Sequence, residues 1–382
     1  MVTLTLQAWT RFGLLLFVLL ACTANVTNSF FLKWGFRDGG GTETFSLEGM
    51  IAGKAPKPFV YRSTIPHLVD RGLASLSEET LAAAFGKINQ SNSLKQHYFP
   101  AIPEASWTPR LAVAYHVMYF LVAISFLAAL CYLRKIVLVY WPDEFSGSIL
   151  SILLFSLLYP SLFHAGGYYY DFFELLGTTA STFYCLRQRP MTATMILALT
   201  AWNKETAFLM SFGYWFLHAD TTPRRVKYMY LIAQASSCLI IRHFIVSRFE
   251  ANSGATVTLG LLSNVAHWLN PVSYMKFDNV YAVGIHTPRI QNVLIVLGLF
   301  TWVRAGWQDA PDEIKKFALG ILVPTALLFM LFGFEDELRN LSLCLPALFI
   351  IMAHGLGPFR EFLDRSHYIR RPPMNTDEHR CG

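Results

Sequence analysis

Apolar runs close to the ~20 residues needed to cross a ~30 Å hydrocarbon core recur from one end of this chain to the other. By hydropathy they fall at about 11–32, 111–133, 146–166, 171–186, 191–203, 206–218, 228–247, 290–304, 316–334 and 341–357. Composition agrees: 54% of the 382 residues are hydrophobic and 15% charged, against roughly a quarter charged in soluble domains. A soluble enzyme, a disordered chain, a disulfide scaffold and a nucleic-acid module are thereby excluded. The expected fold is an all-α, polytopic integral membrane protein of about ten transmembrane or half-membrane helices, a single transmembrane domain over 1–382. The run from Phe12 to Leu32 is too long for a signal-peptide core and lacks a small-residue cleavage site, so it reads as the first span.

The net charge of +6 does not point to a nucleic acid, because the basic residues sit mostly between apolar runs, where they act as a topology signal. Arg134-Lys135, Arg187 with Arg189, Arg224-Arg225 with Lys227, and Lys315-Lys316 with Arg304 mark four successive cytoplasmic connections. The basic tail 358–382 lies on the same side, so both termini are expected in the cytoplasm and the chain in a plasma membrane, the inner membrane if bacterial. Cys22, Cys131, Cys185, Cys238 and Cys344 lie inside apolar runs with no metal-ligand spacing and read as packing residues.

The outer face then collects the loop 33–110, the stretch 165–171, the tip 203–205, the loop 248–289 and the segment 335–340. The long first loop is partly helical. Ile65, Leu68, Val69, Leu73 and Leu76 follow helical spacing, with Thr64 as cap and Pro66 in the first turn, and Ser75-Leu-Ser-Glu78 opens a second helix carrying Leu81, Phe85 and Ile88. Such helices beside membrane spans are expected in the interface.

Five polar clusters on that face are candidates for chemistry. Asp38 follows the first span on the turn Phe36-Arg37-Asp38-Gly39-Gly40-Gly41. Tyr61 and Arg62 close an aromatic-basic stretch suited to phosphate recognition at the interface. Asp171 and Glu174, at i and i+3, share one face of an apolar helix, where acids need protein or water partners, and Asp171 also favours the helix N-terminus. Asn203-Lys204-Glu205 forms the tip of what reads as a tight hairpin, 191–203 against 206–218, each arm ~20 Å long. Glu337 and Arg339 precede the last span, where a cation at a helix start asks for an anionic partner. No nucleophilic triad, Walker loop, dinucleotide fingerprint or zinc spacing occurs.

The order of these clusters resembles the polytopic glycosyltransferases of the C superfamily, which use lipid-phosphate sugars. Asp38 followed by Phe45-Ser-Leu-Glu48-Gly-Met-Ile-Ala-Gly53-Lys-Ala-Pro56 is similar to that family's first outer loop. Glu337-Leu-Arg339-Asn340 with Pro346 looks like its late Glu-x-Arg segment, although Asn340 replaces the usual aromatic. Trp202-Asn203-Lys204-Glu205-Thr206 resembles an element of bacterial polytopic proteins of surface-polysaccharide synthesis. The resemblance implies an inverting glycosyltransferase with Asp38 as general base, Arg62, Lys204 and Arg339 around the donor phosphate, and Asp171, Glu174 and Glu205 holding those cations or the sugar hydroxyls. The implied partners are a polyprenyl-phosphate sugar, a lipid-linked or glycan acceptor, and membrane lipids. It implies no cofactor; the carboxylates are numerous enough for a divalent cation, but no spacing demands one. The rival classes are a transporter or flippase of lipid-linked saccharides, an outer-face polymerase or an acyltransferase. A transporter is expected to show a pseudo-repeat between halves, which the chain lacks.

Overall fold

In the computed structural model the chain is described over residues 2–38, 45–91, 93–142, 144–164, 166–218, 221–255, 258–279, 286–335 and 337–357. The glycines after Asp38, Asp336 and the basic tail 358–382 lie outside the described residues.

The described chain is helical apart from one short ribbon. In order it forms α1 (Val2–Trp34), α2 (Leu47–Ile51), α3 (Thr64–Ala74), α4 (Glu78–Ser91), α5 (Ser93–Tyr98), α6 (Pro109–Tyr140), α7 (Phe145–Leu158) and α8 (Tyr170–Leu186). There follow α9 (Pro190–Asn203), α10 (Met210–Leu217), α11 (Arg224–Arg248), α12 (Leu261–Leu269), α13 (Val293–Asp309), α14 (Asp312–Phe332) and α15 (Leu345–His354). Short 3₁₀ turns at Phe59–Arg62, Tyr159–Phe163, Glu205–Leu209 and Leu338–Cys344 connect some of them. The ribbon pairs β1 (Phe277–Asn279) antiparallel to β2 (His286–Pro288).

Among the described residues, five helical stretches are long and apolar enough to cross a bilayer: Leu6–Trp34, Pro109–Tyr140, Phe145–Phe163, Arg224–Arg248 and Asp312–Phe332. The other apolar runs of the sequence form shorter helices, α8, α9, α10, α13 and α15, of 8 to 17 residues. The long helices start where the sequence provides caps. Thr108 accepts from Leu111 N at 3.4 Å with Pro109 in the first turn of α6, and Glu144 accepts from Gly147 N at 3.0 Å at the head of α7.

Helix α8 is the axis of the bundle, packed between α6 and α9. It buries polar side chains along its length, and Thr178, Thr179, Ser181 and Thr182 satisfy themselves by donating to carbonyls one turn back. Gly177 lets α9 approach: a side chain there would strike Thr200. One apolar core joins α1, α6, α7, α8 and the first loop, and a second joins α9, α10, α14 and α15.

Three expectations need correction. The tight hairpin is splayed: Gln188 Nε2 donates to Leu217 O at 2.9 Å, so both arms return to one level, but α9 packs on α8 and α11 while α10 packs on α14. Thr64 does not cap α3; its hydroxyl donates to Trp202 O at 3.0 Å and ties the first loop to the end of α9. The cap of α4 is Ser77, accepting from Thr80 N at 3.2 Å, while Ser75 bonds back to Gly72 O. The inward stripe of these two helices is otherwise as read, with Leu73 and Leu81 buried and Ile65, Val69, Phe85 and Ile88 against the core, whereas Leu68 and Leu76 are exposed.

Replacing Gly177 by Val should force α8 and α9 apart and cost about 1–3 kcal/mol, read as a lower melting temperature of the detergent-purified protein. An equal loss in Gly86→Val, where a side chain meets open space, would refute this packing.

Candidate active-site cleft and charged network

The polar clusters meet at one end of the bundle, but in two compartments. The first is a network of buried charge at the head of α8. The Lys204 ammonium lies 3.2 Å from Asp171 Oδ1 and 2.8 Å from Glu174 Oε2, with about 3% of its side chain exposed. Glu174 also accepts from Ser342 Oγ at 2.5 Å and Thr206 Oγ1 at 3.5 Å. Arg339 Nη1 reaches Asp171 Oδ2 at 3.2 Å, and its Nε and Nη2 bond Glu337 Oε1. Asn340 Nδ2 donates to the other Glu337 oxygen at 3.0 Å.

A tyrosine strip extends this network. Arg62 Nη1 donates to Tyr170 Oη at 2.7 Å, its Nη2 pairs with Glu205 at 3.1 Å, and its guanidinium lies 4.9 Å from the Tyr170 ring. Tyr168 stacks on Tyr170 at 5.0 Å, and both Arg339 and Arg37 lie over the Tyr168 ring, at 4.5 and 4.7 Å. Asn203 Nδ2 holds Tyr170 O at 2.8 Å. Tyr61, in the first loop's turn Phe59–Arg62, is buried in the first apolar core. Asp171 does not cap α8, whose N-cap is Tyr169 with no side-chain bond; its Oδ2 accepts from Tyr168 N at 3.4 Å and ties the preceding turn to the helix.

The second compartment is a cleft of about 410 Å³ lined by Asp38, Ser46, Glu48, Gly49, Ala52, Lys54, Ile102, Pro103, Ser106 and Tyr115. None of Arg62, Lys204 and Arg339 is among its lining residues. The separating wall is aromatic. Phe36, fully buried, packs 5.3 Å from Tyr169 and 5.1 Å from Tyr115, and Tyr169 Oη donates to Met50 Sδ at 2.7 Å. In the strip 168–170, Tyr169 therefore faces the Asp38 side, while Tyr168 and Tyr170 face the arginines.

Asp38 accepts a hydrogen bond from Tyr115 Oη. Burial lifts its carboxyl from the usual carboxylate range to about 6, with Glu48 adding to the rise and the Tyr115 hydroxyl and Phe36 backbone opposing it. The preceding residue, Arg37, holds left-handed backbone at φ +66°, uncommon for a non-glycine residue. Its side chain lies 4.6 Å from the Trp34 ring and donates to Tyr168 Oη at 3.3 Å, which fixes the turn that presents Asp38. Across the wall the sign reverses. Burial would lift the Glu205 carboxyl too, but the Arg62 guanidinium holds it at about 2.

The polar clusters singled out in the sequence do meet, but neighbours Lys204 and Glu205 do not pair with each other: Lys204 takes Asp171 and Glu174, and Glu205 takes Arg62. Sequence reading missed the division into two compartments, and it missed Tyr115, Lys54 and the tyrosine strip. Tyr115 sits within a run readable only as a span, and Lys54 carries no local signal beyond its charge. Among the described residues no group of three or more His, Cys, Asp or Glu could hold a metal ion. The chain matches no protein-family model, no curated protein and no solved structure.

Removing one member of the buried network leaves unpaired charge. Lys204→Ala should cost about 3–5 kcal/mol, while Lys87→Ala, on the exposed face of α4, should change the melting temperature little. Equal melting temperatures would contradict the network's structural role.

Proposed function

We propose that the protein is an inverting glycosyltransferase that moves a sugar from a polyprenyl-phosphate donor to a lipid-linked or glycan acceptor at the outer face of the membrane, with both termini cytoplasmic. The observation that carries this reading is the half-buried Asp38 carboxyl, which lines an open cleft, is steered by Tyr115 and is poised near 6. A general base works best with a pKa near the working pH.

In this reading the acceptor hydroxyl sits in the cleft and passes its proton to Asp38 as its oxygen attacks the anomeric carbon. The bond from that carbon to the phosphate oxygen breaks on the opposite face, and the lipid phosphate leaves as the anion. The membrane holds the donor's lipid and so presents the sugar at the cleft with little loss of further freedom. The cation that lines the cleft is Lys54, suited to stabilise the charge that grows on the phosphate. This revises the expectation for Arg62, Lys204 and Arg339. Their charges are met by Glu205, by Asp171 with Glu174, and by Asp171 with Glu337, so they act as scaffold for the tyrosine strip. A fixed, mutually satisfied network of this kind also favours a transferase over a flippase, whose pathway charges must part in each cycle.

Asp38→Asn should lower transfer from a synthetic polyprenyl-phosphate sugar in proteoliposomes by about 10²–10⁴-fold; full activity would remove Asp38 from the role of base. Because the base must be deprotonated, kcat/KM of the wild type should fall on acidification with a midpoint near 6. In Tyr115→Phe, which loses a hydrogen bond that favours the carboxylate, that midpoint should move up. A profile flat through that value in both proteins would defeat the assignment. Lys54→Ala should raise KM for the donor more than Lys87→Ala does.

A further inference from the structure

Helix α12, in the loop between α11 and α13, has an inverted pattern of burial. Its polar residues Asn264 and His267 point inward, while Leu262, Val265, Ala266 and Leu269, at i, i+3, i+4 and i+7, point outward. Leu259, Leu262 and Leu269 are 75%, 85% and 77% exposed. In a water-facing helix this arrangement is upside down.

The inward side has a specific partner. Asn264 Nδ2 lies 3.3, 3.1 and 2.8 Å from the carbonyls of Phe329, Met330 and Gly333, and Gly260 N donates to Leu331 O at 2.8 Å. Met330 and Leu331 are among the last carbonyls of α14, left without an amide partner in the next turn, and Gly333 is its C-cap, whose own N–H bonds Phe329 O at 2.7 Å. His267 Nδ1 stands 3.6 Å from Glu335 Oε2. Helix α12 therefore lies across the end of a membrane-length helix and closes it, and its apolar stripe is left facing away from the protein. Val323, Leu327, Phe332 and Phe334, on α14 and just beyond its end, are apolar and exposed as well. Trp268 and Tyr274, 6.2 Å apart, flank it with the aromatic residues that favour a membrane–water interface.

We infer that α12 is an in-plane interfacial helix, seated through Leu259, Leu262, Val265 and Leu269 in the outer headgroup–acyl boundary of the bilayer, and that it anchors the segment carrying Glu337 and Arg339 to the membrane surface. The occupant is lipid rather than a protein partner because the face bears no charge and belongs to a helix bonded to the end of α14, a helix of membrane length that exposes apolar residues of its own. A helix of this kind sinks about 5–10 Å into the boundary. The inference rests on the membrane reading of the chain but not on the sugar-transfer reading.

The test is depth-dependent quenching in the full-length protein. Leu262→Cys and, separately, Leu269→Cys are made in a Cys381→Ser background, labelled with an environment-sensitive fluorophore and reconstituted in phosphatidylcholine–phosphatidylglycerol vesicles. The expected result is blue-shifted emission at both positions, quenched strongly by spin label near the top of the acyl chain and weakly by label near its end or by aqueous iodide. Quenching by iodide in place of lipid, or by neither, overturns the inference, the second result marking a protein-covered face. Phe120→Cys, on the exposed flank of α6, serves as a reference. If that position is quenched by lipid and the α12 positions are not, the interfacial assignment alone falls; if none is quenched by lipid, the membrane reading falls with it. Sugar transfer enters neither readout.

Discussion

The Lys204 ammonium between the carboxylates of Asp171 and Glu174 is the interaction on which the arrangement at this end of the bundle depends. Charges so deeply buried are tolerable only in pairs with further hydrogen bonds, and here the partners come from parts of the chain far apart in sequence. Asp171 and Glu174 open α8, Lys204 ends α9, and Arg339 with Ser342 belongs to the turn before α15. Each must be in place for the others to be buried. The network acts as a register pin for three elements whose apolar surfaces alone would permit sliding.

What the pin fixes is the strip Tyr168-Tyr169-Tyr170. Because alternate residues of this strip face opposite ways, its two sides differ in electrostatics: guanidiniums on one, and the Phe36–Tyr115–Met50 wall with Asp38 beyond it on the other. This separation matters for chemistry. A carboxylate open to three cations would be held low, as Glu205 is by Arg62. Shielded from them, Asp38 responds mainly to burial and rises.

Much of this was legible in local pattern. The apolar runs announced helices, and α1, α6, α11 and α14 appear where hydropathy put them. The i, i+3 spacing of Asp171 and Glu174 placed both acids on one face, and one ammonium indeed touches both. Helix α12 was not among the expected elements, since 248–289 read as a loop, and the apolar spacing of Leu262, Val265, Ala266 and Leu269 gives no direction; the carbonyls met by Asn264 show which side faces the protein. The same ambiguity misled the reading of 191–218, where two short apolar arms around a polar tip look like a self-packed hairpin although α9 and α10 find better partners in α8, α11 and α14.

The sequence by itself determined the helical build, the apolar runs from which the membrane-length helices form, and most of the charged groups that end up buried, because hydropathy and charge density are summed over neighbours in the chain. Tertiary structure alone decided which cation meets which acid, that Asp38 has a cleft of its own, and that Tyr115 and Lys54 share it. Those outcomes turn on contacts between residues tens to hundreds of positions apart. A short-range pattern carries no information about them until packing brings the helix ends together.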